Sequence, residues 1–164
     1  MNQQLRQDAD RIIADAIHAV LPDQAVIRAL DAASFPGRIR LVAAGKAAWQ
    51  MAQAASKTLG DSLECGVICT KYGHCGGKLP KITCCEGGHP IPDENSLRAT
   101  DAALSLVQGL TAQDTVLFLL SGGGSALFEK PLIPLRELQD ITQQLLASGA
   151  SIVEINAIRK RLSA

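Results

Sequence analysis

Strand-like and helix-like segments alternate along this sequence, and that alternation restricts the fold more than any other feature. The apolar runs that have the length of strands are residues 38–44, 65–70, 81–85 and 115–120. Between them, apolar residues recur at helical spacing in residues 46–59 and 93–109. Such an order predicts an α/β fold with a Rossmann-like, mostly parallel sheet and helices on both faces.

The remaining segments add helices near both ends of the chain. Residues 5–20 have the pattern of an amphipathic helix, and a shorter helix is predicted over residues 22–30. Further helices are predicted from Pro134 and, after a capping box, from Ser151. The most apolar strand is 115–120, and we expect it to be buried on both faces of the sheet.

Length and charge fit a single globular domain that occupies residues 1–164. Sixteen basic and sixteen acidic residues give no net charge, which argues against nucleic acid or a membrane surface as partner. The longest wholly apolar run, residues 116–120, is too short to cross a bilayer, and the start lacks a secretory signal pattern. We therefore expect a cytoplasmic protein.

The five cysteines are an odd number in a chain long enough to fold without cross-links, so we expect them to be reduced. Those within strand-like runs would pack as small apolar residues. No C-x-x-C or H-x-x-x-H spacing supports the alternative, a metal site built from Cys69, His74, Cys75, Cys84 and His89. We predict no metal site in this chain.

The strongest candidate for a binding loop follows the most apolar strand and reads Ser121-Gly122-Gly123-Gly124-Ser125. Consecutive glycines permit positive φ and let backbone amides approach a ligand with no Cβ in the way. The alternative is a flexible turn, but a turn needs only one glycine. The loop therefore favours phosphate or carboxylate binding. It fits the dinucleotide-binding fingerprint badly, since the sixth position would be Leu127.

A second candidate is Lys46, which follows a strand and Gly45 at the predicted start of a helix. A cation there faces the positive end of the helix dipole, which costs about 0.3–1 kcal/mol. A bound anion would turn that cost into a gain, whereas a solvated lysine would simply tolerate it. The segment is not a P-loop, because Arg40 and Ala47 stand where that motif needs glycine and a hydroxyl residue.

Two further loops also follow strands and could reach the site formed by Lys46 and the loop at residues 121–125. His89 follows a strand in a loop rich in glycine and proline, and a site role and a local hydrogen bond are equally open for it. Asp93 in the same loop has the position of a helix N-cap. Lys71 and His74 lie beyond another strand, where ligand contact and ordinary solvent exposure both suit them.

In chain order, these loops resemble the glycerate 2-kinase family that carries a MOFRL domain. The motifs that carry the resemblance are Ala44-Gly45-Lys46-Ala47, Thr70-Lys71-Tyr72-Gly73-His74, residues 86–93 (EGGHPIPD), residues 121–127 (SGGGSAL) and residues 148–160 (SGASIVEINAIRK). Five motifs in the same order across nearly the whole chain make the match specific. One departure is Arg161, where the family usually has histidine.

The resemblance implies ATP-dependent phosphorylation of the 2-hydroxyl of D-glycerate, giving 2-phosphoglycerate, with Lys46 as the catalytic residue. The candidate ligands of phosphate or substrate are then Gly45, Lys71, His74, His89 and the loop Ser121, Gly122, Gly123, Gly124 and Ser125. ATP and Mg²⁺ are the implied cofactors, with the metal ligands expected mainly outside this chain. The family has two domains, so we expect an amino-terminal fragment that lacks the carboxy-terminal MOFRL domain and is inactive alone.

Two other functions stay open. Relatives of this family often bear the name hydroxypyruvate reductase, but that activity needs a nicotinamide site, and the dinucleotide fingerprint is missing. A non-catalytic sugar-phosphate-binding domain would bind its ligand without turnover. The sequence leaves the oligomeric state open, a homo-oligomer included.

Overall fold

The computed structural model describes residues 3–164. Its elements are α1 (Gln3–Ala19), α2 (Pro22–Asp31), β1 (Ile39–Ala44), α3 (Ala48–Leu59), a 3₁₀ turn (Gly60–Ser62), β2 (Leu63–Lys71), β3 (Ile82–Gly87), α4 (Glu94–Leu106), β4 (Thr115–Leu120), α5 (Gly124–Leu127), α6 (Leu135–Ala147) and α7 (Ile152–Arg159). Most of these elements start and end within two or three residues of the positions that the sequence predicts. The short helix α5 has no counterpart in those predictions.

The strands form one sheet in the order β3-β2-β1-β4, and every neighbouring pair is parallel. Val42 of β1, for example, lies between Val67 of β2 and Phe118 of β4. Parallel neighbours need crossover connections, and α3 and α4 supply two of them. The connection from β2 to β3, residues 72–81, contains no helix. The predicted Rossmann-like, parallel α/β sheet is confirmed.

Alternate residues of the central strands fill a separate core on each face of the sheet. One face is covered by α2 and α3, and Leu41 and Ile68 are buried there against alanines of α3. The other face is covered by α4, whose Ala99 packs against Val42 and Cys69. Alanine lets a helix backbone approach the sheet closely, so both layers hold the loop ends of β1 and β2 in place.

Helix ends mostly follow the predicted capping patterns. Asp93 Oδ1 accepts a hydrogen bond from Ser96 N–H at 2.9 Å, and Ser151 Oγ accepts one from Glu154 N–H at 3.4 Å, each within a capping box. Such caps each contribute about 1 kcal/mol. The predicted start of α3 is wrong by two residues, because the helix begins at Ala48 after a short turn.

β4 is an edge strand, and the expectation that it is buried on both faces is wrong. Val116, Phe118 and Leu120 are 39%, 46% and 62% exposed. The reason is that α4 packs mainly on β2 and β3, and no strand within residues 3–164 pairs with the outer edge of β4. The apolar sequence therefore predicts the strand correctly but not what covers it.

α1 is a helix, as its amphipathic pattern predicts, but none of its residues is buried. Leu5, Ile12, Ile13 and Ile17 on its apolar face are between 56% and 68% exposed. An amphipathic pattern predicts a helix that has an apolar face to bury, but it does not say which surface buries that face. Within residues 3–164, no helix combines the length and apolarity that crossing a bilayer requires.

The expectation of five reduced cysteines is wrong for two of them. Cys75 and Cys84 form a disulfide that joins the β2–β3 connection to the edge strand β3. Sequence spacing gives no sign of this pairing, because the connection must fold back along β3 before the sulfur atoms meet. Cys65, Cys69 and Cys85 are free. Burial, together with the neighbouring Cys85, raises the pKa of the Cys69 thiol to about 12.

Candidate functional site

The loops that follow β1, β3 and β4 meet at the carboxyl edge of the sheet, where parallel strands bring their ends together. Residues 45–47 after β1 lie beside residues 121–125 after β4, and His89 after β3 lies against both. We call residues 121–125 the glycine-rich loop. The structure thus brings together the residues that the sequence singles out from separate parts of the chain.

Ser121 and Gly45 hold the first and last of these loops against each other. Ser121 Oγ accepts a hydrogen bond from Ala47 N–H at 3.1 Å and donates one to Ala44 O at 3.3 Å. Gly45 has φ of +117°, and a Cβ there would overlap Ser121. Its N–H donates to Cys69 O at 3.0 Å. The hydroxyl of Ser121 and the amide of Gly45 therefore already have partners within the protein.

Lys46, His89 and Gly123 converge on one point above the sheet edge. A Cβ built on Gly123, whose φ is +86°, would lie 2.7 Å from His89 Nε2 and 3.3 Å from Lys46 Cε. The backbone N–H of Lys46 donates to Gly122 O at 3.0 Å, which fixes the lysine beside the loop. Glycine at position 123 leaves open the space that a cation and an imidazole face.

Backbone amides of the glycine-rich loop are free to bind a ligand. Within residues 3–164, the N–H groups of Gly122 and Gly123 have no hydrogen-bond partner. Gly122 and Ser125 are exposed, while Gly124 is buried beneath them. Unpaired amides in a glycine-rich loop, next to a lysine, are an arrangement that suits an oxyanion.

His74 and Lys71 approach this site from the end of β2. His74 Nδ1 lies 2.9 Å from the carbonyl oxygen of Lys46, so the contact of this ring is with the backbone next to the site. The charge of Lys71 is near enough to His89 to lower the pKa of that ring. Thr70, which the sequence does not single out, is buried, and its Oγ1 donates to Gly45 O at 2.9 Å.

The surroundings of His89 favour the neutral form of its imidazole. Burial lowers its pKa, and the positive charges of Lys46, Lys71 and Arg159 lower it further. A neutral imidazole has one nitrogen that can accept a hydrogen bond or a proton. His89 is therefore a proton acceptor among cations, which suits a negatively charged ligand that carries a hydroxyl group.

Sequence patterns do not predict the buried ion pair that lies behind the glycine-rich loop. Arg159 of α7 donates to Ser125 O at 2.9 Å and to Glu129 Oε2 at 3.1 Å. The side chains of Arg159 and Glu129 are only 10% and 3% exposed. Both residues line a cavity of about 180 Å³, together with Asn156 and Lys160. The one signal in the sequence is that Arg159 belongs to the motif at residues 148–160.

The five residues considered for a metal site do not assemble into one. Cys75 and Cys84 are joined to each other, and Cys69 is buried in the core between the sheet and α4. In the part of the chain that the structure describes, no group of three or more His, Cys, Asp or Glu side chains could hold a metal ion.

The parallel sheet, its helices on both faces and the loops beyond its carboxyl edge define a Rossmann-like α/β domain with a candidate anion site. The family model described as a domain of unknown function, DUF4147, matches residues 8–164. The chain therefore belongs to the DUF4147 family.

Its relatives include glycerate kinases, which confirms the resemblance. The D-glycerate 2-kinase of Thermotoga maritima is 50% identical, over 98% of this chain and 39% of the relative. A putative hydroxypyruvate reductase of Agrobacterium vitis is 40% identical, over 97% of this chain and 36% of the relative. The crystal structure of a glycerate kinase from Thermotoga maritima, 50% identical, superposes with a TM-score of 0.89 over 98% of this chain and 39% of that one. This chain thus spans about two fifths of the length of these relatives.

If the backbone of the glycine-rich loop binds the anion, Gly123→Val should abolish phosphate binding while Ser125→Ala only weakens it. Valine disfavours the φ of +86°, and its Cβ would enter the space in front of His89. Losing the Ser125 hydroxyl removes about 0.5–1.5 kcal/mol. Calorimetric titration with inorganic phosphate measures both effects.

Gly109→Val is the matched control, because Gly109 also has positive φ but has open space around its Cβ position. This control should bind phosphate normally even if the strained backbone lowers its stability. Equal losses in Gly123→Val and Ser125→Ala would show that the hydroxyl, and not the backbone, carries the site.

Proposed function

We propose that this chain supplies the phosphate-binding wall of a D-glycerate 2-kinase, which transfers a phosphoryl group from ATP to the 2-hydroxyl of glycerate. The observation that carries the proposal is the convergence of Lys46, His89 and the unpaired amides of Gly122 and Gly123. The 50% identity to a D-glycerate 2-kinase supports the choice of reaction. Because the chain spans 39% of that relative, the proposal concerns a protein of the relative's length.

Phosphoryl transfer depends mostly on positioning and on neutralising charge at the transferred group. Lys46 is exposed at the sheet edge, next to amides that can donate to phosphate oxygens. An ammonium group and fixed backbone dipoles stabilise developing negative charge without having to reorganise. In this proposal Lys46 neutralises the transferred phosphoryl group, while the glycine-rich loop orients it.

His89 is the group best suited to take the proton from the substrate hydroxyl. Its Nε2 lies beside Gly123 and Lys46, at the point where a transferred phosphate would be bound, and its lowered pKa favours a ring that can accept a proton. The O–H bond of the hydroxyl breaks as the N–H bond forms, and the oxygen attacks the γ-phosphorus of ATP. The bond from that phosphorus to the leaving oxygen breaks, and ADP is released.

ATP and Mg²⁺ complete the proposed reaction. The lysines and free amides suit the phosphates of ATP, whereas the described residues contain no cluster of acidic side chains for a metal ion. We therefore expect the ligands of Mg²⁺ mainly outside this chain. Mg²⁺ would neutralise phosphate charge when bound. We place the reaction in the cytoplasm, where ATP is available.

The partner that we propose for this domain is the carboxy-terminal part that its relatives have in addition. Both sides of β4 offer apolar surface to it. One side has a cavity of about 290 Å³ lined by Leu117 and Leu119, and the other has one of about 390 Å³ lined by Val116 and Phe118. Exposed apolar grooves of this kind mark surfaces that another part of a protein covers. A homo-oligomer stays a prediction.

Hydroxypyruvate reductase is the second candidate, because a relative 40% identical to this chain has that name. A reductase needs a site for a nicotinamide dinucleotide, and the glycine-rich loop lacks the corresponding fingerprint. The residues that meet at the sheet edge suit an anion and a proton transfer rather than a hydride transfer. We therefore favour the kinase.

The test compares residues 1–164 with an extended protein, in which this chain is fused to the carboxy-terminal remainder of the Thermotoga maritima kinase. We expect the extended protein to form 2-phosphoglycerate from glycerate and Mg·ATP, and the chain alone to form none. Assays of NADH oxidation with hydroxypyruvate run in parallel. Oxidation of NADH without kinase activity would favour the reductase, and Mg·ATP-dependent 2-phosphoglycerate formation by residues 1–164 would contradict the two-domain proposal.

A further inference from the structure

The β2–β3 connection, residues 72–81, is held in place by contacts with its neighbours and not by secondary structure of its own. Trp49 Nε1 of α3 donates to Gly77 O at 2.9 Å. The same indole ring packs on Gly76, where an added Cβ would lie only 2.7 Å from ring atoms. Any movement of this connection therefore changes the surroundings of Trp49.

A covalent bond adds to these contacts. Cys75 of the connection is joined to Cys84 of β3, and the Cys75 N–H donates to Glu86 Oε1 at 2.8 Å. β3 is an edge strand, and both cysteines are half-buried rather than fully enclosed. Cys69, by contrast, is fully buried, and its raised thiol pKa keeps it unreactive.

This disulfide is one residue away from the candidate site. His74 precedes Cys75, and its Nδ1 lies 2.9 Å from the carbonyl oxygen of Lys46. Trp49, which packs on Gly76 of the connection, is three residues after Lys46 in the sequence. The position of the connection is therefore coupled to the backbone that carries the lysine.

We propose that Cys75 and Cys84 are a reversible oxidation site, whose disulfide clamps the β2–β3 connection against Trp49 and holds His74 beside Lys46. The reactant is a low-molecular-weight disulfide such as oxidised glutathione. The two thiols lose two electrons and two protons as the bond between the cysteine sulfurs forms. The reagent's own S–S bond breaks, and each of its sulfur atoms leaves as a thiol.

The 164-residue chain itself is suited to the test, because Trp49 is its only tryptophan and reports on the connection. The protein is equilibrated with mixtures of reduced and oxidised glutathione, then quenched, denatured and alkylated. Mass spectrometry should find three alkylated cysteines on the oxidised side and five on the reduced side, since two of the five are bonded. Tryptophan emission should shift to longer wavelength over the same range of mixtures as the connection is released.

Serine variants identify the cysteines that are responsible. Cys75→Ser and Cys84→Ser should each abolish both the change in alkylation and the shift in emission, while Cys65→Ser should keep both. Unchanged alkylation at every glutathione ratio would overturn the oxidation site. Emission that stays constant while the disulfide forms would overturn the clamp. None of these readouts depends on kinase activity, so the inference can fail or hold independently of the proposed function.

Discussion

Replacing Lys46 with alanine is expected to reduce the turnover of glycerate by the extended protein by about 10²- to 10³-fold. The Cε atom of Lys46 lies beside Gly123 and His89, where the transferred phosphoryl group would be bound. Losing one electrostatic contact that acts on the transition state costs about 3–4 kcal/mol. Steady-state kinetics should show the loss in kcat and in kcat/KM, and not in KM alone.

Three controls separate chemistry from folding. Lys46→Arg should restore activity only in part, because a planar guanidinium group does not occupy the position of a compact ammonium group. Lys57→Ala removes an exposed lysine from the last turn of α3 and should leave turnover unchanged. Lys46 is exposed and precedes α3, so the melting temperature of Lys46→Ala should also stay close to that of the unmodified protein.

A titration of the histidines gives an independent check on the same variant. The charge of Lys46 is one of the causes that lower the pKa of His89, so Lys46→Ala should raise that pKa. NMR spectra of residues 1–164, recorded over a range of pH, measure the midpoint for His89 in both proteins. A stable Lys46→Ala protein with near-normal turnover would refute the catalytic role, whatever the titration shows.

Periodicity and turn chemistry are enough to predict most of this fold. β4 runs from Thr115 to Leu120 as predicted, and both predicted N-caps, Asp93 and Ser151, form capping boxes. These features depend on residues close together in the chain, so the sequence carries them directly. The exposure of Phe118 cannot be predicted from neighbouring residues in this way, because it depends on where α4 packs and on what else covers β4.

The candidate site also has features that the sequence predicts and features that only the structure reveals. A parallel sheet requires that the loops after its strands share one edge, so the meeting of Lys46, His89 and the glycine-rich loop follows from the fold class. What the sequence does not reveal is which groups are already paired. Ser121 has the pattern of a ligand, yet its hydroxyl joins two loops, and only the structure shows that the amides of Gly122 and Gly123 have no partner.

The buried ion pair behind the loop leads to the second large expected effect. Arg159→Ala and Glu129→Ala should each lower the free energy of unfolding by about 3–5 kcal/mol, because each leaves one charge buried without its partner. Glu129 Oε1 and Arg159 Nε already have no partner within residues 3–164. The bond of 3.1 Å between the two side chains is therefore the only charged contact that compensates Glu129 for burial, while Arg159 also donates to Ser125 O. Urea denaturation of residues 1–164 measures the change.

The exposed ion pair between Lys130 and Asp101 is the matched control. Its side chains are 49% and 54% exposed, so Lys130→Ala should cost no more than about 1 kcal/mol. A loss of stability in Arg159→Ala as small as that in Lys130→Ala would contradict the importance of the buried pair.

Replacing both buried partners together distinguishes stability from the positioning of the glycine-rich loop. In Arg159→Met combined with Glu129→Leu, no charge remains buried, so much of the stability lost in the single variants should return. The hydrogen bond from Arg159 to Ser125 O is still missing, however, and this bond ties α7 to the glycine-rich loop. We therefore expect the double variant to be stable and yet to bind phosphate more weakly than the unmodified chain. Normal phosphate affinity in a stable double variant would show that the ion pair supports the fold alone and does not position the loop.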